Sequence, residues 1–94
     1  MTPQDVLTAV SNYFGIPEFE INNGRKRGVE CLAKFTYRWY LYTHLGMGLK
    51  AIGRLNGHDH TTIRNSVDQI NAWCSVYDEV NGMVSGFVKF VNNQ

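Results

Sequence analysis

Ninety-four residues with 44% hydrophobic side chains supply one compact core and no second one. No Gly-rich string ending in Gly-Lys-Ser/Thr occurs, which excludes a phosphate-cradling nucleotide motor, and no apolar run approaches the roughly 20 residues of a membrane span. The net charge of +1 conceals a segregation expected of a nucleic-acid reader: residues 24–67 hold eight bases (Arg25, Lys26, Arg27, Lys34, Arg38, Lys50, Arg54, Arg64) against Glu30 and Asp59, giving +6, whereas the remainder holds Lys89 against six acids (Asp5, Glu18, Glu20, Asp68, Asp78, Glu79), giving −5.

Thr2 before Pro3 predicts a helix start, because Pro suits the first helical position and Thr can cap it. Val6, Leu7, Val10, Tyr13 and Phe14 then form an apolar face that Gly15 terminates. Residues 15–28, with Pro17, Asn22, Asn23 and Gly24, read as a loop containing a short turn of helix near Pro17 to Ile21. That loop delivers Arg25, Lys26 and Arg27 to a second helix over about Val29 to His44, broken by Gly46 and Gly48. This helix is dense in rings. Leu32, Phe35, Trp39 and Tyr42 share one face and are assigned to the core, which leaves Tyr37 and Tyr40 part-exposed. Stacking of these rings on single-stranded bases is the weaker reading.

The most informative stretch is Leu49 to Val67, LKAIGRLNGHDHTTIRNSV. Asn56 and Gly57 stop one short helix, since Gly tolerates the left-handed backbone of a helix end, and Asp59 can cap the next. Beyond it Ile63, Val67, Ile70, Cys74 and Tyr77 recur at spacings of four and three, so one stripe faces a core while His60, Thr61 and Arg64 show on the other side. Two short helices joined at a Gly-centred turn, with polar side chains opening the second, is the layout of a helix-turn-helix DNA reader.

Val80, Met83, Val84, Phe87, Val88 and Val91 continue at helical spacing through the tail. We divide the chain into a reading domain, residues 1–77, and an amphipathic C-terminal extension, residues 78–94. The extension is expected to pack on the domain, or to offer its apolar stripe to a second copy or a protein partner.

Catalytic and metal signals are weak. His58, Asp59 and His60 form an HDH string, but helical metal pairs want i, i+4 spacing and His44 is the remaining imidazole. Ser66 and Ser75 have no His at matching spacing. Cys31 and Cys74 show no CxxC pattern and read as reduced, packed thiols, and Pro3, Gln4 and Asp5 are unlike a signal peptide. The expectation is a cytoplasmic, nucleoid-associated protein without enzymatic activity, metal or cofactor.

The motif Ile52-Gly53 followed by Gly57-His58-Asp59-His60-Thr61-Thr62-Ile63 resembles that of the C-terminal DNA-binding domain of the bacterial replication initiator DnaA, which has the form IG, a few residues, then GRDHTTV. Upstream, Tyr13-Phe14-Gly15-Ile16 is similar to the family's YFGI, and Arg25-Lys26-Arg27 to its basic RKR lead into the next helix. The resemblance covers roughly residues 5–73. Three departures stand out: His58 replaces the family's Arg, Asn65 and Ser66 replace its His and Ala, and the segment between Arg27 and Leu49 fits only with a one-residue shift.

What the resemblance implies is an all-α helix-turn-helix domain of four to five helices, Trp-repressor-like in arrangement, that binds double-stranded DNA at short nine-base-pair boxes. His60 and Thr61 would then reach base edges in the major groove, Thr61 also touching a thymine methyl, while Asp59 accepts from a cytosine amine. His58 would make a softer single contact where the family's Arg grips guanine bidentately. Arg25, Lys26, Arg27, Lys50, Arg54, Thr62 and Arg64 are the candidates for the DNA backbone, with Thr62 equally able to act as a second cap residue. A free-standing reader of this type, without a motor, would compete for boxes, regulate a promoter or mark the origin of a phage or mobile element. The rival expectation is an interaction module of the same fold that has lost specific DNA binding, with the apolar tail as its main contact.

Overall fold

In the structure, a computed structural model describing residues 1–23 and 28–93, Thr2 and Asp5 close the start of the first helix reciprocally. The Asp5 amide donates to Thr2 Oγ1 at 3.1 Å and the Thr2 amide donates to Asp5 Oδ2 at 2.9 Å. The helix, α1 (Pro3–Phe14), ends where Gly15 turns left-handed at φ 70° and its amide reaches the Ser11 carbonyl. A separate short helix follows, α2 (Glu18–Asn23), which the sequence suggested only as a turn within a loop. It is secured to α1 from outside: Gln4 Nε2 and Thr8 Oγ1 donate to the two oxygens of Glu18 at 2.7 and 3.1 Å. Ile21 on its inner side is fully buried. The order then runs α3 (Gly28–Thr43), α4 (Leu49–Asn56), α5 (His60–Val76) and α6 (Asp78–Asn92). The described residues thus form six helices and no strand, one helix more than the upper expectation, and the additional one is α2.

Helix α3 lies centrally, packed by α1, α2, α4 and α5. That position corrects the assignment of its aromatic faces. Tyr37 and Tyr40, expected to be part-exposed, are 2% and 5% exposed, whereas Tyr42, expected in the core, is 41% exposed. A one-face rule holds for a helix leaning on a single layer, and α3 is covered from several directions, so Ala33, Tyr37 and Leu41 meet one set of neighbours and Leu32 another. The main cluster joins Val6, Val10, Ile21, Tyr37, Leu41, Ile52, Ile63 and Phe87. A second, smaller one joins Leu32, Ile70 and Val84, with Phe35 stacked on Trp73 at 5.6 Å between ring centroids.

Helix α6 packs on α5 and α1. Phe87 is fully buried in the main cluster and meets Tyr13 and Tyr40 edge-on. The Tyr13 hydroxyl donates to the Met83 carbonyl at 2.9 Å, tying α1 to α6. The expected stripe of α5 stops short of Tyr77, which is 56% exposed: the chain leaves the helix at Val76, and Tyr77 is the hinge residue shared by α5 and α6.

Candidate nucleic-acid interface

Helices α4 and α5 make the helix-turn-helix. Ile52 anchors α4 in the core, and the helix stops at Gly57, whose φ of 74° no side chain tolerates well. The Asn56 side chain donates to the Ile52 carbonyl at 2.8 Å, and the His58 amide to the Gly53 carbonyl at 2.9 Å, so the turn is folded back on the helix it leaves. Its carbonyl then passes over Gly53, where a Cβ would meet the His58 oxygen and lie 3.3 Å from the Asp59 carbonyl carbon. The IG pair of the motif therefore has two separate tasks: Ile52 fills the core and Gly53 leaves room for the turn.

Asp59 caps α5 by accepting from the Thr62 amide at 2.9 Å. The Thr62 hydrogen bonds, from amide and side chain, hold the Asp59 carboxyl below the usual carboxylate range, with His60 adding to the effect. Asp59 thus remains ionised and engaged with its own helix. His58, His60 and Thr61 are exposed at this end, and Thr62 is half-buried beside them. Helix α6 contacts α5 through the second cluster, near Ile70, Trp73 and Cys74, and leaves the His60 and Thr61 end uncovered.

The cations divide into three groups. Lys50, Arg54 and Arg64 are exposed on α4 and α5, with Arg64 Nε 3.9 Å from Asp68 Oδ2 in an exposed i, i+4 pair. Arg25, Lys26 and Arg27 lie outside the described residues. Lys34 and Arg38, counted in the basic segment as part of an outward-facing field, are 4% and 2% exposed. They sit one turn apart on α3, beneath surrounding helices, so the cationic surface is smaller than the linear count implies.

Ser66 is likewise internal. The sequence shows it, with Asn65, as a departure from the family's motif on the reading helix, yet it is 2% exposed and receives a hydrogen bond from Arg38 Nη1 at 2.8 Å. Its own hydroxyl donates to the Thr62 carbonyl at 3.1 Å, one turn back along α5. The pair was missed because Arg38 was treated as a charge rather than a packed side chain. A signal existed: Ser66 lies three residues after Ile63 and four before Ile70, on the margin of the buried stripe. Asn65, next to it, is exposed.

No protein-family model matches the chain. The chain is 38% identical over 72 residues to the chromosomal replication initiator protein DnaA of Thermomicrobium roseum, a match covering 74% of this chain and 15% of that protein. It is therefore a DnaA-like, all-helical chain that spans a small part of the initiator's length, in keeping with the resemblance of its motifs to the initiator's C-terminal domain.

Proposed function

We propose that this domain binds double-stranded DNA sequence-specifically, inserting the amino end of α5 into the major groove at boxes of the initiator type. The observation that carries this reading is the exposed His60 and Thr61 pair on the first turn of a helix capped by Asp59 and docked, through the Gly57 turn, on α4. A helix N-terminus presents amides and the positive end of its dipole to phosphate, and a Thr methyl and an imidazole can both read base edges. Asp59 is assigned to the cap first and to a cytosine amine second, His58 to a single base contact. Lys50, Arg54, Thr62 and Arg64, together with Arg25, Lys26 and Arg27, are assigned to the backbone. The role is one of binding rather than catalysis, in the control of replication or transcription, and it places the protein with DNA in the cytoplasm.

The decisive experiment titrates labelled duplexes with and without an initiator-type box at two salt concentrations. The expected result is a preference for the box that His60→Ala with Thr61→Ala abolishes while the helical circular dichroism and the unfolding midpoint stay unchanged. A preference that survives the double substitution would refute the assignment of α5 as the reading helix.

A further inference from the structure

Arg38 is the feature that the helix-turn-helix reading does not use. Its guanidinium is almost fully buried, and its Nη1 donates to Ser66 Oγ. Among the described residues its Nε has no hydrogen-bond partner and no acidic side chain pairs with it. Burial pushes the pKa of the group downward, but a guanidinium starts high enough to remain a cation. A buried cation without a counter-charge is costly, so a position like this one is ordinarily matched by an anion.

The surroundings supply a place for one. Arg38 lines an open cleft of about 280 Å³ between α3 and α5, bordered by Phe35, Thr62, Asn65, Ser66 and Gln69. Every side chain on the α5 border is polar and uncharged, and the exposed amides of Asn65 and Gln69 are donors that can meet an oxyanion. Among the described residues no carboxylate borders the cleft. Thr62 and Asn65 belong to the opening turns of α5, beside the His60 and Thr61 end. A DNA strand bounding the groove that α5 enters would therefore pass along this border.

We propose that the cleft between α3 and α5, with Arg38 in its wall and Asn65 and Gln69 at its rim, seats one phosphate of the DNA strand flanking the reading helix. The inference rests on the proposed DNA binding and adds a named backbone site to it. A phosphate held there fixes the register of α5 along the groove, because Arg38 is bonded through Ser66 to the same turn that carries the reading side chains.

The test is a methylphosphonate scan of a box duplex, neutralising one backbone phosphate at a time, read by fluorescence anisotropy with wild type, Arg38→Met and Asn65→Ala. Met retains much of the volume of Arg and is the kind of apolar replacement that buried ions tolerate; Asn65 is exposed, so its truncation spares the fold. In wild type one neutralised phosphate is expected to weaken binding about tenfold or more, the scale of a charge-assisted hydrogen bond. In Arg38→Met that same neutralisation should cost nothing further, with the salt slope shallower by about one. Asn65→Ala should absorb part of the loss, and it carries the same comparison should Arg38→Met fail to fold. Box binding in which neither variant absorbs any single-phosphate loss would overturn the proposal while leaving the DNA reading standing. A parallel arm titrates inorganic phosphate against the unfolding temperature: stabilisation of wild type that Arg38→Met lacks, without coupling to any strand phosphate, would assign the cleft to a free anion and equally overturn it. Failure of every duplex to bind would sink both readings together.

Discussion

The His58 carbonyl lies against the Cα of Gly53, so closely that a methyl group on residue 53 would overlap it. Residue 53 is buried inside α4, and its neighbour Ile52 is fixed in the core, so α4 cannot rotate to relieve the overlap. The carbonyl belongs to backbone, and the turn that holds it is pinned by the His58 amide and by the left-handed Gly57. The angle between the two helices of the reading unit is thus set by the absence of one side chain.

Gly53→Ala is accordingly expected to destabilise the domain by about 1–3 kcal/mol, the cost of forcing extra volume into packed structure. Gly82→Ala provides the internal comparison. Gly82 is in the interior of α6 with open space around its Cα, so alanine there should gain about 0.5–1 kcal/mol from helix propensity alone. Urea unfolding midpoints of the two variants should move in opposite directions.

The cap of α5 predicts an acid limb in the stability profile. Asp59 has its carboxyl held low by the Thr62 hydrogen bonds, and Asp5 is held low by those of Thr2. A carboxylate whose folded pKa lies below its unfolded one contributes stability that is complete above the unfolded value, about 3.9, and is lost as pH falls through the folded value. Stability should therefore be flat near neutrality with respect to these groups and fall below about pH 4. Asp59→Asn keeps a capping oxygen without a titrating one, so its urea midpoint should fall less steeply between pH 4 and pH 2 than that of wild type. Equal slopes would place the acid sensitivity elsewhere.

Arg64 and Asp68 form an exposed pair at 3.9 Å on the α5 flank. Exposed pairs of this kind are worth little to the fold, about 0–1 kcal/mol, but they compete with phosphate for the cation. Asp68→Asn should leave the unfolding midpoint nearly unchanged and tighten DNA binding by up to about fivefold at low salt. With the exposed Lys50, Arg54 and Arg64 and the proposed contacts of Arg25, Lys26 and Arg27 all directed to phosphate, wild-type affinity should fall on the order of a thousandfold between 50 and 200 mM salt. A flat response measured by anisotropy would favour a protein partner instead of DNA.

Phe87 brings α6 into the main cluster, so its truncation tests whether that helix belongs to the folding unit. Phe87→Ala should cost about 3–5 kcal/mol, since the ring is fully buried and bordered by Tyr13 and Tyr40. Tyr13→Phe removes only the hydroxyl that reaches the Met83 carbonyl and should cost about 1 kcal/mol. Both are read from urea unfolding. Loss of only a fraction of this stability in Phe87→Ala would mean that α6 unfolds independently of the remainder.

Much of this architecture was legible from local rules. Thr2 and Pro3 announced α1; Gly15 and Gly57 ended helices where left-handed backbone was needed; Asp59 marked the first turn of α5. Each depends on residues within four positions of one another, so the chain carries the information in a short window. The aromatic faces of α3 did not yield to such rules. Tyr37, Tyr40 and Tyr42 differ in burial because of which helices arrive from elsewhere in the chain. Glu18 behaved similarly: its helix is stabilised by Gln4 and Thr8, 14 and 10 residues away, and a window centred on Pro17 contains neither.

The chain by itself determined the helices other than α2, the turn between α4 and α5 and the polar side chains that open α5, because caps, glycines and apolar spacing act between near neighbours. Only the tertiary structure decided which charges face outward. Lys34 and Arg38 read as members of a basic segment and are enclosed by helices that pack over α3, and Ser66 becomes the partner of Arg38 rather than a group offered to DNA. Burial is a property of what surrounds a side chain in space, and those surroundings come from residues far along the sequence.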